Sequence, residues 1–282
     1  MHLHRADSYK ELEQLVRNFE FPPAQLHFRG QSCIDFKLEL RIAQKFKDNS
    51  IIKTKALEII NRFKTYVIKY NLTDKLFINI GKNYRYFDEY YWLFQAQHIG
   101  IPTFLMDWSF SWKRALYFAI ENKEHIDSSG QLWVIFWADS SRMFVDPDPI
   151  DDFLQYQNPY SINKYGLLNP TYDTDQNSTN FIGERRRFSQ AGEFFAVPEQ
   201  DYITPLEKRE ELTGLLTRIE ITSKLKKEIF SNTSDTDLGA IMEENIIEYE
   251  KYSNGFIYGK IDDKLLEIVN FIREEFGFPK LI

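Results

Sequence analysis

The longest uninterrupted apolar run, Leu132 to Ala138, is seven residues long. A helix that crosses a bilayer needs about 20, so no membrane span is expected. A run this short, rich in Val, Ile, Phe and Trp, reads as a buried strand. Leu26 to Arg29, closed by Gly30, predicts another strand, as do Thr103 to Asp107, Glu193 to Val197 and Leu215 to Ile221. Between them lie stretches with helical periodicity, and this mixture implies an α+β fold.

Ser8-x-x-Glu11 ahead of Leu12, Leu15, Val16 and Phe19 has the capping-box spacing and predicts a first helix over 8–19. Phe21-Pro22-Pro23 ends it, because proline lacks the N–H that a helix needs. The region from Leu38 to Gly81 is helical, with Ala56, Ile59, Ile60, Phe63 and Val67 on one apolar stripe. A helix over 83–98 stops at Gly100 and Pro102. Ser109 or Ser111 caps a helix containing Ala115, Leu116, Phe118 and Ala119. Residues 139–182 hold four prolines and many Asp, Asn, Ser and Tyr, and predict a long loop excursion. Thr204-Pro205-Leu206-Glu207 has the residues of a helix start, and two closing helices are expected over 236–250 and 262–276. Composition marks no boundary. The expectation is one domain over 1–282, with a helical insertion over about 38–98.

Aromatic residues make up 16% of the 282, and Gly is only 12, so the chain can bury a large core and is not expected to be disordered. A net charge of −7 argues against a protein held on nucleic acid by bulk electrostatics, although a local basic patch is still compatible with it. The single cysteine, Cys33, forbids an intramolecular disulfide and a Cys₄ zinc site. The first ten residues contain no apolar signal core, and a soluble, cytoplasmic protein is expected. Phosphate loops, GxGxxG, GxSxG and His-Glu-x-x-His are all absent.

Three places carry candidate chemistry. Arg29 sits in a predicted strand beside Gly30, which leaves room for close approach to the backbone. Its planar fork suits a phosphate or carboxylate, and a structural salt bridge to Asp107 explains it equally well. Asp107-Trp108-Ser109 ends a strand and opens a helix, which brings polar groups, an aromatic face and a helix N-terminus together; simple helix capping is the competing explanation. The third is Arg185-Arg186-Arg187-Phe188-Ser189-Gln190-Ala191-Gly192-Glu193, where an arginine run precedes a carboxylate at a strand start. His27 and His98 read either as core histidines or as site residues, His125 as a solvated one, and His2 and His4 as part of a mobile terminus.

Together these pieces resemble the FRG domain family. The resemblance rests on Leu26-His27-Phe28-Arg29-Gly30-Gln31-Ser32 and on Gln97-His98-x-Gly100-x-Pro102-Thr103-x-Leu105-x-Asp107-Trp108-Ser109. The second block runs into Ala115-Leu116-Tyr117-Phe118-Ala119, and Arg187 to Phe194 adds a weaker third block. The order of landmarks is similar to that of ADP-ribosyltransferases of the Arg–Ser–Glu type, with Arg29, Ser109 and Glu193 in those positions. Ala191 stands where such enzymes often carry a first acid.

The resemblance implies an ADP-ribosyltransferase-like split β-sheet core and NAD as substrate, with no metal. It implies that Arg29 holds the pyrophosphate, Ser109 the nicotinamide ribose, and that Glu193 stabilises the oxocarbenium-like transition state. Gly30, Gln97, His98, Asp107, Trp108, Tyr117 and Gln190 complete the expected NAD site. It further implies a macromolecular acceptor (RNA, DNA or protein) and a toxin or anti-phage role with an antitoxin partner. The alternatives are a catalytically inactive nucleotide- or partner-binding module, and an NAD glycohydrolase.

Overall fold

The computed structural model describes residues 1–19, 26–73, 88–137, 142–145, 165–170, 192–231 and 263–281. The expected helix over 236–250, the Arg185–Arg187 run and Gln190 lie outside these residues. In chain order the strands are β1 (His2–Ala6), β2 (Leu26–Gln31), β3 (Leu105–Ser109), β4 (Gly130–Phe136), β5 (Arg142–Val145), β6 (Gly166–Pro170), β7 (Gly192–Ala196) and β8 (Leu216–Ile221). The helices are α1 (Tyr9–Arg17), α2 (Arg41–Lys45), α3 (Asn49–Lys69), α4 (Asp88–His98), α5 (Trp112–Ile120), α6 (Ser223–Ser231) and α7 (Asp263–Glu275), with short helical turns between them. The strands form one eight-stranded sheet in the order β1-β8-β4-β2-β3-β7-β6-β5. It is mixed: β1 runs parallel to β8 and β5 to β6, and the other neighbours are antiparallel. The fold is therefore α+β, with α2, α3 and α4 inserted between β2 and β3.

Side-chain alternation divides the interior in two. On β4, Leu132 and Val134 join a core with Leu26, Phe28, Ile219 and Ile221 beneath α1, α5 and α6. Trp133 and Ile135 point the other way, into a core with Trp108, Phe195 and the helices α3, α4 and α7. The stripe on α3 buries Ile52, Ala56, Ile59, Ile60, Phe63 and Val67, and Asp48 caps this helix by accepting from the amides of Ser50 and Ile51. Ser8 caps α1 by accepting from the Glu11 amide at 3.3 Å, while the Glu11 carboxylate accepts from the Asp7 amide at 2.8 Å.

Three expectations are corrected. The N-terminus is a strand: residues His2–Ala6 pair with Thr217–Ile221, although four of the five side chains are exposed and no alternation announces them. The excursion over 139–182 contributes β5 and β6 to the sheet. Pro205 is followed only by a helical turn over Leu206–Lys208, without a side-chain cap.

Gly30 is where α5 touches the sheet. A Cβ there would overlap the Ala115 carbonyl oxygen and come within 2.7 Å of the Ala119 nitrogen. Both are backbone atoms, so no rotamer change relieves the clash. Gly30→Ala is expected to lose about 3 kcal/mol or more, the upper end of overpacking costs, as read by urea denaturation. A variant as stable as the wild type would show that this packing is wrong.

Candidate functional site

Strands β2 and β3 are joined by one bridge pair, Phe28 with Ser109. Beyond it opens a cleft of about 580 Å³. That is within the roughly 300–1,000 Å³ of small-ligand sites. Its lining includes Arg29, Gly30 and Gln31 from β2, Arg41 and Gln44 from α2, Gln97 and His98 from α4, and Asp107, Trp108 and Ser109 from β3, with Phe118 from α5 and Glu121 just beyond that helix.

Arg29 lies in the gap between the two strands. Its Nη1 donates to the Asp107 carbonyl oxygen, and its Nε has no hydrogen-bond partner among the described residues. Burial pulls its pKa down, and the Asp107 charge partly restores it. Asp107 thus meets Arg29 through its main chain rather than through a carboxylate–guanidinium bond. The Asp107 carboxylate accepts from Gln97 Nε2 at 2.8 Å. Thr103 Oγ1 donates to Gln97 Oε1 at 2.5 Å and accepts from the Leu105 amide at 3.0 Å. The spacing of Gln97, Thr103 and Asp107 is therefore a hydrogen-bond chain that ties the end of α4 to β3. Gly100 makes the turn between them at φ +91. The Ile101 amide donates to the Ala96 carbonyl and the Gly100 amide to the Gln97 carbonyl, a Schellman-type helix end that favours glycine.

The strand register sorts the remaining candidates. Trp108 stands opposite Glu193, and Ser109 opposite both Gly192 and Phe28. By alternation His27, Arg29, Trp108 and Glu193 share one face of the sheet, and the Ser109 side chain leaves from the other. Ser109 is buried and accepts from the Ser111 amide at 3.1 Å, while Ser111 caps α5 by accepting from the Arg114 amide. Glu193 is 2% exposed and is not among the cleft-lining residues. Its Oε2 lies 2.7 Å from Nδ1 of His27, itself fully buried. His98 is buried edge-on against Phe194, with ring centroids 4.7 Å apart. Tyr117 is buried behind the wall, its hydroxyl pKa raised by burial and by Glu121. Arg29 and Ser109 thus border one cleft with Gly30, Gln97, His98, Asp107 and Trp108, and Glu193 lies against His27.

Several wall residues have no sequence signal. Arg41, Gln44 and Glu121 reach the cleft only through tertiary packing. His125, expected to be solvated, is half-buried instead, with Nδ1 2.8 Å from Ser32 Oγ. Beside it Lys226 is fully buried and donates to the carbonyls of Ser32 (2.6 Å) and His125 (2.9 Å), bolting the start of the 32–39 loop to its neighbours. Burial lowers the Lys226 pKa to about 8. Among the described residues no group of three or more His, Cys, Asp or Glu could hold a metal ion, and no helix is long and apolar enough to cross a membrane.

Residues 24–128 match the family model of the FRG domain. No curated protein and no solved structure gives a significant match to the chain. The matched segment carries β2, the inserted helices, β3 and α5, hence most of the cleft wall. Glu193 and Lys226 lie outside it.

Two outcomes follow from the buried groups. Removing one partner of a buried polar contact leaves the other unsatisfied, at a cost of about 1–3 kcal/mol, whereas replacing both by apolar groups of similar shape is often near neutral. His27→Ala is therefore expected to cost about 2 kcal/mol, and the double change of His27 and Glu193 to leucine to recover much of it, as measured by denaturant unfolding. Equal stability of His27→Ala and wild type would contradict the pairing.

For Lys226, between about pH 8 and its ordinary value of 10.5 the unfolded chain holds a proton that the folded chain has released. Stability contributed by this group therefore rises with pH across that window, and its burial penalty is complete below about pH 8. Wild type should gain stability relative to Lys226→Met over the window. Identical pH slopes for the two would rule this out.

Proposed function

We propose that the chain is an NAD-dependent ADP-ribosyltransferase that seats the dinucleotide in the cleft between β2 and β3. The observation that carries this reading is Arg29, a guanidinium at the cleft that, among the described residues, has its Nε unpartnered and no carboxylate bonded to it. Such a fork binds phosphate with directed, charge-assisted hydrogen bonds. With the pyrophosphate there, Gln97 and Asp107, already locked to each other, present a fixed polar edge, and Trp108 offers an aromatic surface.

Breaking the bond between nicotinamide and ribose builds positive charge on the sugar, which a carboxylate stabilises. Glu193 is our assignment for that carboxylate. It shares a sheet face with Arg29, one strand beyond β3. In this reading, NAD binding opens the contact with His27 and turns the carboxylate towards the ribose. Ser109, at the bridge where the strands part, contacts the nicotinamide ribose. ADP-ribose then passes to a macromolecular acceptor, RNA, DNA or protein, and a toxic product of this kind calls for an antitoxin partner.

A second reading, a nucleotide-binding module without catalysis, is favoured by one observation: Glu193 is sealed against His27. One experiment separates the two. Nicotinamide release from labelled NAD is measured in a lysate for wild type and Glu193→Gln, with NAD binding measured alongside. Loss of one preorganised transition-state group costs on the order of 10²–10³ in rate, so Glu193→Gln should release nicotinamide at least ~100-fold more slowly while still binding NAD. Equal release by folded wild type and variant would overturn the transferase reading. Release without label on any macromolecule would mark a glycohydrolase. Growth arrest by wild type but not by Glu193→Gln would support the toxin role.

A further inference from the structure

Two guanidiniums, Arg29 and Arg41, line the cleft, and a third, Arg273, lies behind its Gly100 wall. Arg29 comes from β2, and Arg41, exposed at the start of α2, lines the same cleft. Arg273, from α7, is 3% exposed and donates to the carbonyls of Gly100 and Pro279. Among the described residues none of the three is hydrogen-bonded to a carboxylate.

The neighbouring acids offset these charges only in part: the Asp107 charge raises the Arg29 pKa without a carboxylate–guanidinium bond. The Asp107 carboxylate is occupied by Gln97, and Glu121 engages the Tyr117 hydroxyl. Asp35, Lys37 and Glu39 also line the wall. The like charges act on one another. The Arg273 pKa is lowered to about 10, first by burial and then by the Arg41 charge. Arg41 also lowers that of Arg29, again after burial. Like charges gathered in a partly dry cleft are relieved when an anion sits among them. Two forks mounted on different elements suit two linked phosphates better than one.

We propose that Arg41 is a second phosphate-gripping arginine, and that Arg29 and Arg41 together hold the diphosphate of a dinucleotide. This deepens the reading above and rests on it for placing a dinucleotide in the cleft. Arg273 adds positive field from behind the wall. The assignment gives the cleft a direction: one nucleoside lies towards α2 and the other towards the Phe28–Ser109 bridge.

The test is calorimetric titration of the full chain with ADP-ribose, which carries the diphosphate but has no nicotinamide to lose, and with AMP, which has one phosphate. ADP-ribose should bind more tightly than AMP. Arg41→Gln should weaken ADP-ribose binding about tenfold or more, the value of a charged hydrogen bond, and bring it near that of AMP. Arg41→Lys should recover part of the loss, because it restores the charge without the fork. Arg17→Gln, on the exposed side of α1, should bind as wild type does. Unchanged melting temperatures would show that the variants are folded.

Wild-type affinity in Arg41→Gln would overturn the proposal, as would no binding of ADP-ribose at millimolar concentration. Arg41-dependent ADP-ribose binding without nicotinamide release would keep the diphosphate site and reject the transferase. Glu193-dependent release with an unchanged KM in Arg41→Gln would do the reverse.

Discussion

The hydrogen bond from Arg29 to the Asp107 carbonyl holds the cleft together. Two neighbouring strands in one sheet normally satisfy each other's main chain, and a split between them exposes groups that are costly to leave unpaired. Here β2 and β3 meet at one bridge pair, and the Arg29 side chain supplies the donor that the ladder does not. A side chain can span a gap that a backbone amide cannot, so the strands stay apart and a cleft forms between them. The arginine that shapes the cleft therefore also presents its charge there.

The walls are rigid for separate reasons. On one side, the Gln97–Thr103–Asp107 chain and the glycine turn at Gly100 lock the end of α4 to β3, so both elements move as one body. On the other, α5 lies so close to Gly30 that its backbone touches the strand. At the far end, Lys226 ties the carbonyls of Ser32 and His125 together with one buried ammonium. Fixed donors around a fixed gap favour recognition over accommodation, because little ordering remains to be done when a ligand arrives.

Much of this was legible in the sequence, and the exceptions have a common cause. Strand β4 showed itself through its apolar run, β2 through a short segment closed by Gly30, and α3 through its buried stripe. The Gln97-to-Ser109 spacing pointed to a site before its hydrogen-bond chain was known. Strand β1 was invisible because its side chains face solvent and its pairing with β8 is main-chain alone, between segments over two hundred residues apart. β5 and β6 lay in a stretch whose prolines argued for loop. His27 and Glu193 were legible singly and not as a pair, since their contact spans the intervening strand β3. Arg41, in a five-residue helix with no motif around it, could be placed only by the packing of α2 against the cleft.

The His27–Glu193 contact is what separates the two functional readings energetically. Opening a buried polar contact costs about 1–3 kcal/mol, and at about 1.4 kcal/mol per decade this is roughly 10–10² in binding constant. A catalytic Glu193 must draw that amount from contacts made elsewhere on the substrate, which is how remote binding energy is used to rearrange a reacting centre. The diphosphate is the part of NAD best able to supply it, since two guanidiniums without a carboxylate partner among the described residues face the cleft. Catalysis and the phosphate grip are in this way coupled: a weaker grip would leave Glu193 closed on His27. A chain with the grip but without this opening would bind the dinucleotide and leave it intact.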